Sequence, residues 1–150
     1  MSCSNPHQWY KKSVSNHSEL SDVQFEDLFE KGELPPSLFD HEAHLRLAWL
    51  YIKKYGEERA MDKSCFEIKQ FDKLHGNGDK FNVTVTIAAI KTVHHFIQKS
   101  NAEDFLAFSK EFPRLKTAFK ELLDQHYGFD IFSNKIAKES FVEPDIRPFD

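Results

Sequence analysis

A chain of 150 residues has the commonest length of a single domain and can bury a core without disulfides or a structural metal. Its 40% hydrophobic and 29% charged residues are ordinary globular proportions, and no apolar run approaches the ~18 residues of a membrane span. A net charge of -4 supplies no basic field for nucleic acid or anionic lipid, and Cys3 and Cys65 are too few for a disulfide framework. The expectation is a cytoplasmic protein with no nucleic-acid and no membrane partner.

Residues 1–18 are polar with scattered aromatics and have no apolar period, which predicts a flexible arm ahead of one helical domain over 19–150. Ser21 and Gln24 form a capping box, and Val23, Phe25, Leu28 and Phe29 then give a first short helix ending near Gly32. Pro35 and Pro36 break the chain. Ser37 or Asp40 caps a second helix that runs to Tyr55 and stops at Gly56. From Glu57 to His75, the spacing of Ala60, Met61, Ser64, Ile68, Phe71 and Leu74 predicts a third helix, with Gly76 behind it. Asn82 to Gln98 is rich in β-branched residues. Its period is nonetheless helical, with Val85, Ala89, Val93 and Ile97 on an apolar face and Ala88, Lys91, Thr92 and His95 on a polar one. Asn101 with Asp104 opens a fifth helix through Phe112, Pro113 a sixth from Arg114 to about His126, and a seventh covers about Asp130 to Ser140. Pro144 and Pro148 mark an extended C-terminal tail. The fold class is therefore all-α, a compact bundle of about six to seven helices with short loops.

The common catalytic signatures are missing: there is no Gly-rich phosphate loop, CxxC pair, GxSxG elbow or HExxH, because Leu45 stands where His41-Glu42 would need a second histidine. The histidines carry the remaining chemistry. Helical projection puts His41 and His44 beside Leu45, Ala48 and Ile52, with Glu42, Arg46 and Lys53 on the opposite, solvated face. Both lie in the first turns, where the helix dipole favours the neutral imidazole that ligates metals or takes a proton. The same projection places His75 with Ser64, Ile68 and Phe71, and points Thr86 inward, with Asn82 at the start of its helix. If the second, third and fourth helices are neighbours, His41, His44, His75, Asn82 and Thr86 line one cavity, walled by Trp49, Tyr51 and Tyr55. Asp72 either orients His75 or faces solvent. His7, His17, His94 and His95 read as surface residues, His126 as a dipole partner of its own helix, and Cys65 as packing.

The run from Phe39 to Trp49, His75-Gly76-Asn77, Lys80-Phe81, Thr84-Val85-Thr86 and Phe141-Val142-Glu143-Pro144-Asp145 together resemble a family of small bacterial proteins of unassigned function. Some members of that family are labelled as related to a biphenyl-diol dioxygenase. The resemblance covers most of the chain from about Leu34 onward and implies His41, His44 and His75 as pattern residues. Where the family pattern reads Lys-aromatic-His-Glu-Thr, this chain has Lys80-Phe81-Asn82-Val83-Thr84, so a fourth histidine and a carboxylate are absent.

Three functions fit these residues. In the first, His41, His44 and His75 hold a divalent metal, Fe(II) or Zn, that supports small-molecule chemistry. A metal-free form of it uses a neutral histidine as general base, with Thr86 and Asn82 orienting a small polar substrate. In the second, the cavity binds a small organic ligand on Trp49, Tyr51, Asn82 and Thr86 without catalysis. In the third, the histidines are internal struts of a protein-interaction module. The fifteen phenylalanines suit either a core or a homo-oligomer interface, which leaves the oligomeric state open.

Overall fold

The computed structural model describes residues 14–150, and the proposed arm up to residue 13, with His7 and Cys3, lies outside them. Among the described residues there are eight α-helices and no strand: α1 (Asp22–Glu30), α2 (His41–Tyr55), α3 (Glu57–His75), α4 (Val83–Ile97), α5 (Phe105–Glu111), α6 (Arg114–Thr117), α7 (Phe119–Asp124) and α8 (Lys135–Glu139). Two 3-10 turns, His17–Glu19 and Pro36–Leu38, precede α1 and α2. No helix among them is long and apolar enough to cross a membrane.

The capping residues start the helices where the side-chain chemistry requires. Ser21 and Gln24 cap α1 reciprocally, Asp40 accepts from the Ala43 amide, and Asn82 accepts from the Val85 amide, each satisfying a first-turn N–H that has no intrahelical partner. Ser37 lies instead in the second 3-10 turn. Gly56 is both the end of α2 and the start of α3, with φ 86 and ψ 168, a backbone region open essentially to glycine alone. This one-residue joint folds α3 back along α2. Tyr51 reaches Glu67, and Phe39 meets Phe71 edge-on at 5.0 Å.

The centre of the bundle is α2, whose stretch from Leu45 to Ile52 is buried throughout. One core cluster joins α1 through α4 with Phe105, Phe108, Leu115 and Leu122. A second sits on the far side of α4, where Ala88 packs with Leu123, Tyr127, Ile131 and Ala137. Ala88 and Thr92, assigned by periodicity to a solvated face, are thus buried, because α4 is covered on both sides and the polar-looking face meets α8 and the tail. Thr84 makes that contact specific: its hydroxyl donates to the Ser140 carbonyl at 2.9 Å and accepts from the Val142 amide at 3.0 Å.

Three further expectations are corrected. The single helix expected from Arg114 to His126 is two, broken at Ala118 with φ -140 and ψ 35. Asn134, which accepts from the Ala137 amide, starts α8 at Lys135 rather than at Asp130, while Asp130 closes a turn through Phe132 and Ser133. Asp104 alone caps α5, accepting from Ala107. The tail beyond Ser140 has no regular structure, as its prolines dictate, and is held by Thr84 and by the Tyr127 hydroxyl, which donates to Val142.

Arg46 and His17 reverse their sequence reading. Arg46, expected in solvent, is buried, and so is His17. The guanidinium donates to the carbonyls of His17 at 2.7 Å and Leu20 at 2.8 Å and pairs with Asp22 at 2.8 Å, while His17 Nε2 meets Glu42 at 2.9 Å. The residues before α1 cover this side of α2. A helix projection, which takes no account of chain outside the helix, cannot foresee that.

Candidate functional site

Asp40 positions the site. By capping α2 it starts the helix at His41, so His41 and His44 fall in its first turn, and its backbone carbonyl accepts the His44 Nδ1–H at 2.7 Å. The His44 ring then stacks on Phe39, with centroids 3.8 Å apart and planes at 24°. Beside it, α2, α3 and α4 enclose a cavity of about 350 Å³ that is open to water on one side. From α2 come His41, His44, Leu45, Leu47 and Ala48, from α3 Ser64 and Ile68, and from α4 Val85, Thr86, Ala89 and Ile90; Phe39, Asp40, Phe119 and Phe132 complete the wall. Hydrocarbon dominates this lining, and among the described residues no lysine or arginine belongs to it.

Besides Asp40, four polar residues belong to the lining, His41, His44, Thr86 and Ser64. His41 Nε2 donates to the Leu115 carbonyl at 3.0 Å, which leaves Nδ1 as an acceptor. His44 has donated through Nδ1, which leaves the Nε2 lone pair. His41 and His44 are both exposed to solvent rather than on a buried face, yet desolvation by neighbouring protein holds the His44 pKa below the ordinary imidazole range against the opposing pull of the Asp40 carbonyl. Thr86 returns its proton to the Asn82 carbonyl at 2.8 Å, as Thr92 does to Ala88 and Thr117 to Pro113, the usual arrangement for a hydroxyl within a helix. Ser64 is the exception. It is 1% exposed, it belongs to the cavity wall, and its Oγ has no hydrogen-bond partner among the described residues. A buried hydroxyl in that condition costs about 1–3 kcal/mol.

The other expected residues lie elsewhere. His75 is exposed and donates through Nε2 to the Gly32 carbonyl at 2.7 Å. Because α3 has 19 residues and α2 has 15, α3 overhangs its partner by four residues, about 6 Å. The apolar stripe therefore runs past its covering helix, and Leu74 is exposed there too, at 64%. Asn82 uses both ends of its amide structurally, accepting from Val85 and donating to the Ile131 carbonyl at 2.9 Å. Tyr51 is fully buried away from the cavity. Its hydroxyl donates to Glu67 at 2.5 Å with Glu30 at 3.3 Å, and burial followed by these carboxylates raises its pKa. Trp49 packs on Phe108, 6.4 Å between centroids, and has no part in the cavity. Of the ligand-binding set, Thr86 alone lines it.

The three proposed metal ligands are not one donor set. His44 and His75 terminate an aromatic run in which Phe39 and Phe71 intervene, and among the described residues no group of three or more His, Cys, Asp and Glu side chains is arranged to hold a metal ion. Asp72 neither orients His75 nor faces solvent freely: its Oδ2 accepts the Lys80 and Phe81 amides, both at 2.9 Å. His94 and His95 are half-buried, near Glu57 and Asp150. His126 ties down the tail by donating to the Arg147 carbonyl at 2.8 Å rather than serving its own helix end. Cys65 is half-buried and its thiol is pushed up to about 11 by burial and Asp62, which fits packing and not nucleophilic chemistry.

Searches against protein-family models, curated proteins and solved structures found no match to this chain, so the reading of the site rests on its own geometry.

Proposed function

We propose that the cavity between α2, α3 and α4 binds a small, largely apolar organic molecule. The observation that carries this reading is a water-accessible space of about 350 Å³ whose wall, among the described residues, is mostly hydrocarbon with His41, His44 and Thr86 among its few polar members. Ligand pockets have this composition: apolar surface for affinity and a few polar atoms for orientation. A purely structural role for the histidines explains the bonds of His41 and His44 to backbone carbonyls but gives no reason for the space beside them. The three-histidine metal centre has the weaker support: His44 and His75 share a smaller cavity with Phe39 and Phe71, but among the described residues no three such side chains are grouped to hold a metal ion.

The test is thermal unfolding with a set of small apolar compounds, and separately with Zn or Fe(II), on the native chain and on Ala89→Phe, which fills the cavity from α4. A ligand at about 100 times its Kd stabilises by about 2.7 kcal/mol. The expected result is a concentration-dependent rise in Tm with organic compounds that Ala89→Phe abolishes while remaining folded by circular dichroism. A rise with metal alone, lost in His75→Ala, would restore the metal reading and overturn this one.

A further inference from the structure

We propose that a second groove, between α4, α7 and the tail, binds a small organic carboxylate with an apolar body, seated where the chain's own Asp150 carboxylate lies against His95. This groove shares no lining residue with the cavity between α2, α3 and α4, so it stands or falls independently of the function proposed for that cavity.

The groove holds about 500 Å³, the size of an ordinary small-molecule pocket. Phe96, Leu122 and Phe149 supply hydrocarbon to its lining, and Lys91, Lys99 and Arg147 bring three cations to it. Among the described residues none of these three forms an ion pair, whereas Lys54, Lys63 and Lys116 each hold a carboxylate oxygen, at 3.0, 2.9 and 3.0 Å. A chain with a net charge of -4 thus gathers three cations that its own fold does not use. Among the described residues Asp150 is the one acid in this lining.

Asp150 shows which group suits the place. Its Oδ2 lies 2.9 Å from His95 Nδ1, and because an ionised carboxylate only accepts, the proton of that bond is on His95. Its own backbone amide and, against desolvation, His95 and Lys99 hold the Asp150 carboxyl below the ordinary carboxylate range. The side chain is nonetheless 73% exposed, and so open a pair contributes at most about 1 kcal/mol. The tail does not depend on it. Phe149 stacks on His126 with centroids 4.2 Å apart, and His126 Nδ1 donates to the Arg147 carbonyl at 2.8 Å. Asp150 can therefore swing off His95 while Phe149 stays packed. A ligand carboxylate that takes its place keeps the His95 bond and adds burial of its apolar body on Phe96, Leu122 and Phe149, which Asp150 has no hydrocarbon to provide. An ammonium ligand meets three like charges, and a neutral one leaves them unpaired.

Calorimetric titration with 4-phenylbutyrate, its neutral amide and phenyl phosphate tests this, on the native chain and on Lys99→Gln, Asp150→Asn and Ala89→Phe. Lys99 and Asp150 are exposed, so their variants should fold, as circular dichroism will check. The expected result is an acid bound at least about tenfold more tightly than the amide. Lys99→Gln should weaken it about threefold and Asp150→Asn, which removes the competing charge, should tighten it about threefold. Ala89→Phe, which fills the other cavity, should leave it unchanged. Equal affinity for acid and amide, an acid affinity unmoved by Lys99→Gln, one unmoved or lowered by Asp150→Asn, loss of binding in Ala89→Phe, or no binding of the acid would each overturn the proposal. Tighter binding of phenyl phosphate than of the acid would overturn the carboxylate class and put a phosphate monoester in its place.

Discussion

Arg46 donates to the carbonyl oxygen of His17 at 2.7 Å from the middle of α2, fastening residues that precede the first helix onto the central one. The same guanidinium reaches the Leu20 carbonyl and Asp22, so its removal leaves two carbonyls and a carboxylate without their donor. Arg46→Ala should destabilise the fold by about 2–4 kcal/mol. Lys53→Ala, an exposed cation on the same helix that lies 5.8 Å over the Trp49 ring, should cost about 0.5 kcal/mol. Urea unfolding of the two variants decides this, and similar midpoints would mean that the buried guanidinium contributes no more than a surface charge.

Gly56 isolates a backbone effect. A methyl group added there meets nothing within 4 Å, and the residue has φ 86, so Gly56→Ala carries conformational strain without a clash. A loss of about 1–3 kcal/mol is expected. An unchanged midpoint would show that the joint between α2 and α3 can relax to an ordinary conformation.

His44 predicts a pH dependence. Its imidazole is held below the ordinary 6.5 by burial, so above about 6.5 the ring is neutral in folded and unfolded chains alike and contributes no difference. As the pH falls below that value the unfolded chain takes up the proton first, and stability is lost until the folded pKa is reached. Thermal unfolding from pH 7.5 to pH 5, taken as about the useful range around a histidine, should show a decline that is shallower in His44→Gln. Parallel curves for the two proteins would contradict the assignment.

Thr84 tethers the tail. Thr84→Val keeps the shape but removes the bonds to the Ser140 carbonyl and the Val142 amide, at a cost of about 1–3 kcal/mol. Amide hydrogen exchange should accelerate at Val142 while α2 stays protected. Unchanged exchange there would mean that the Tyr127 bond to Val142 suffices.

Helix starts were the most legible feature, because each depends on one side chain: Ser21, Asp40, Asn82 and Asp104 all cap where their chemistry permits. The faces of the helices were less legible. Projection assumes one buried side, whereas α4 has two, and the Thr84 and Ala88 stripe could be recognised as buried only once α8 and the tail were placed. His41 and His44 line one cavity with Thr86, but both are exposed rather than on the core face that projection gave them. His75 was not, because its burial depends on how far a neighbouring helix extends. Ser64 was visible on the apolar stripe of α3, but that its hydroxyl goes without a partner among the described residues is a fact of three-dimensional packing that no spacing reveals.

The one-residue joint at Gly56 has a bearing on assembly. Joining two ends of a chain costs more entropy as the segment between them lengthens, and of the three long helices α2 and α3 are separated by one residue, whereas 76–82 lies between α3 and α4. The wall carrying His44 and Ser64 is therefore the part of the cavity that the chain closes at least entropic cost, and the α4 side joins a surface already made.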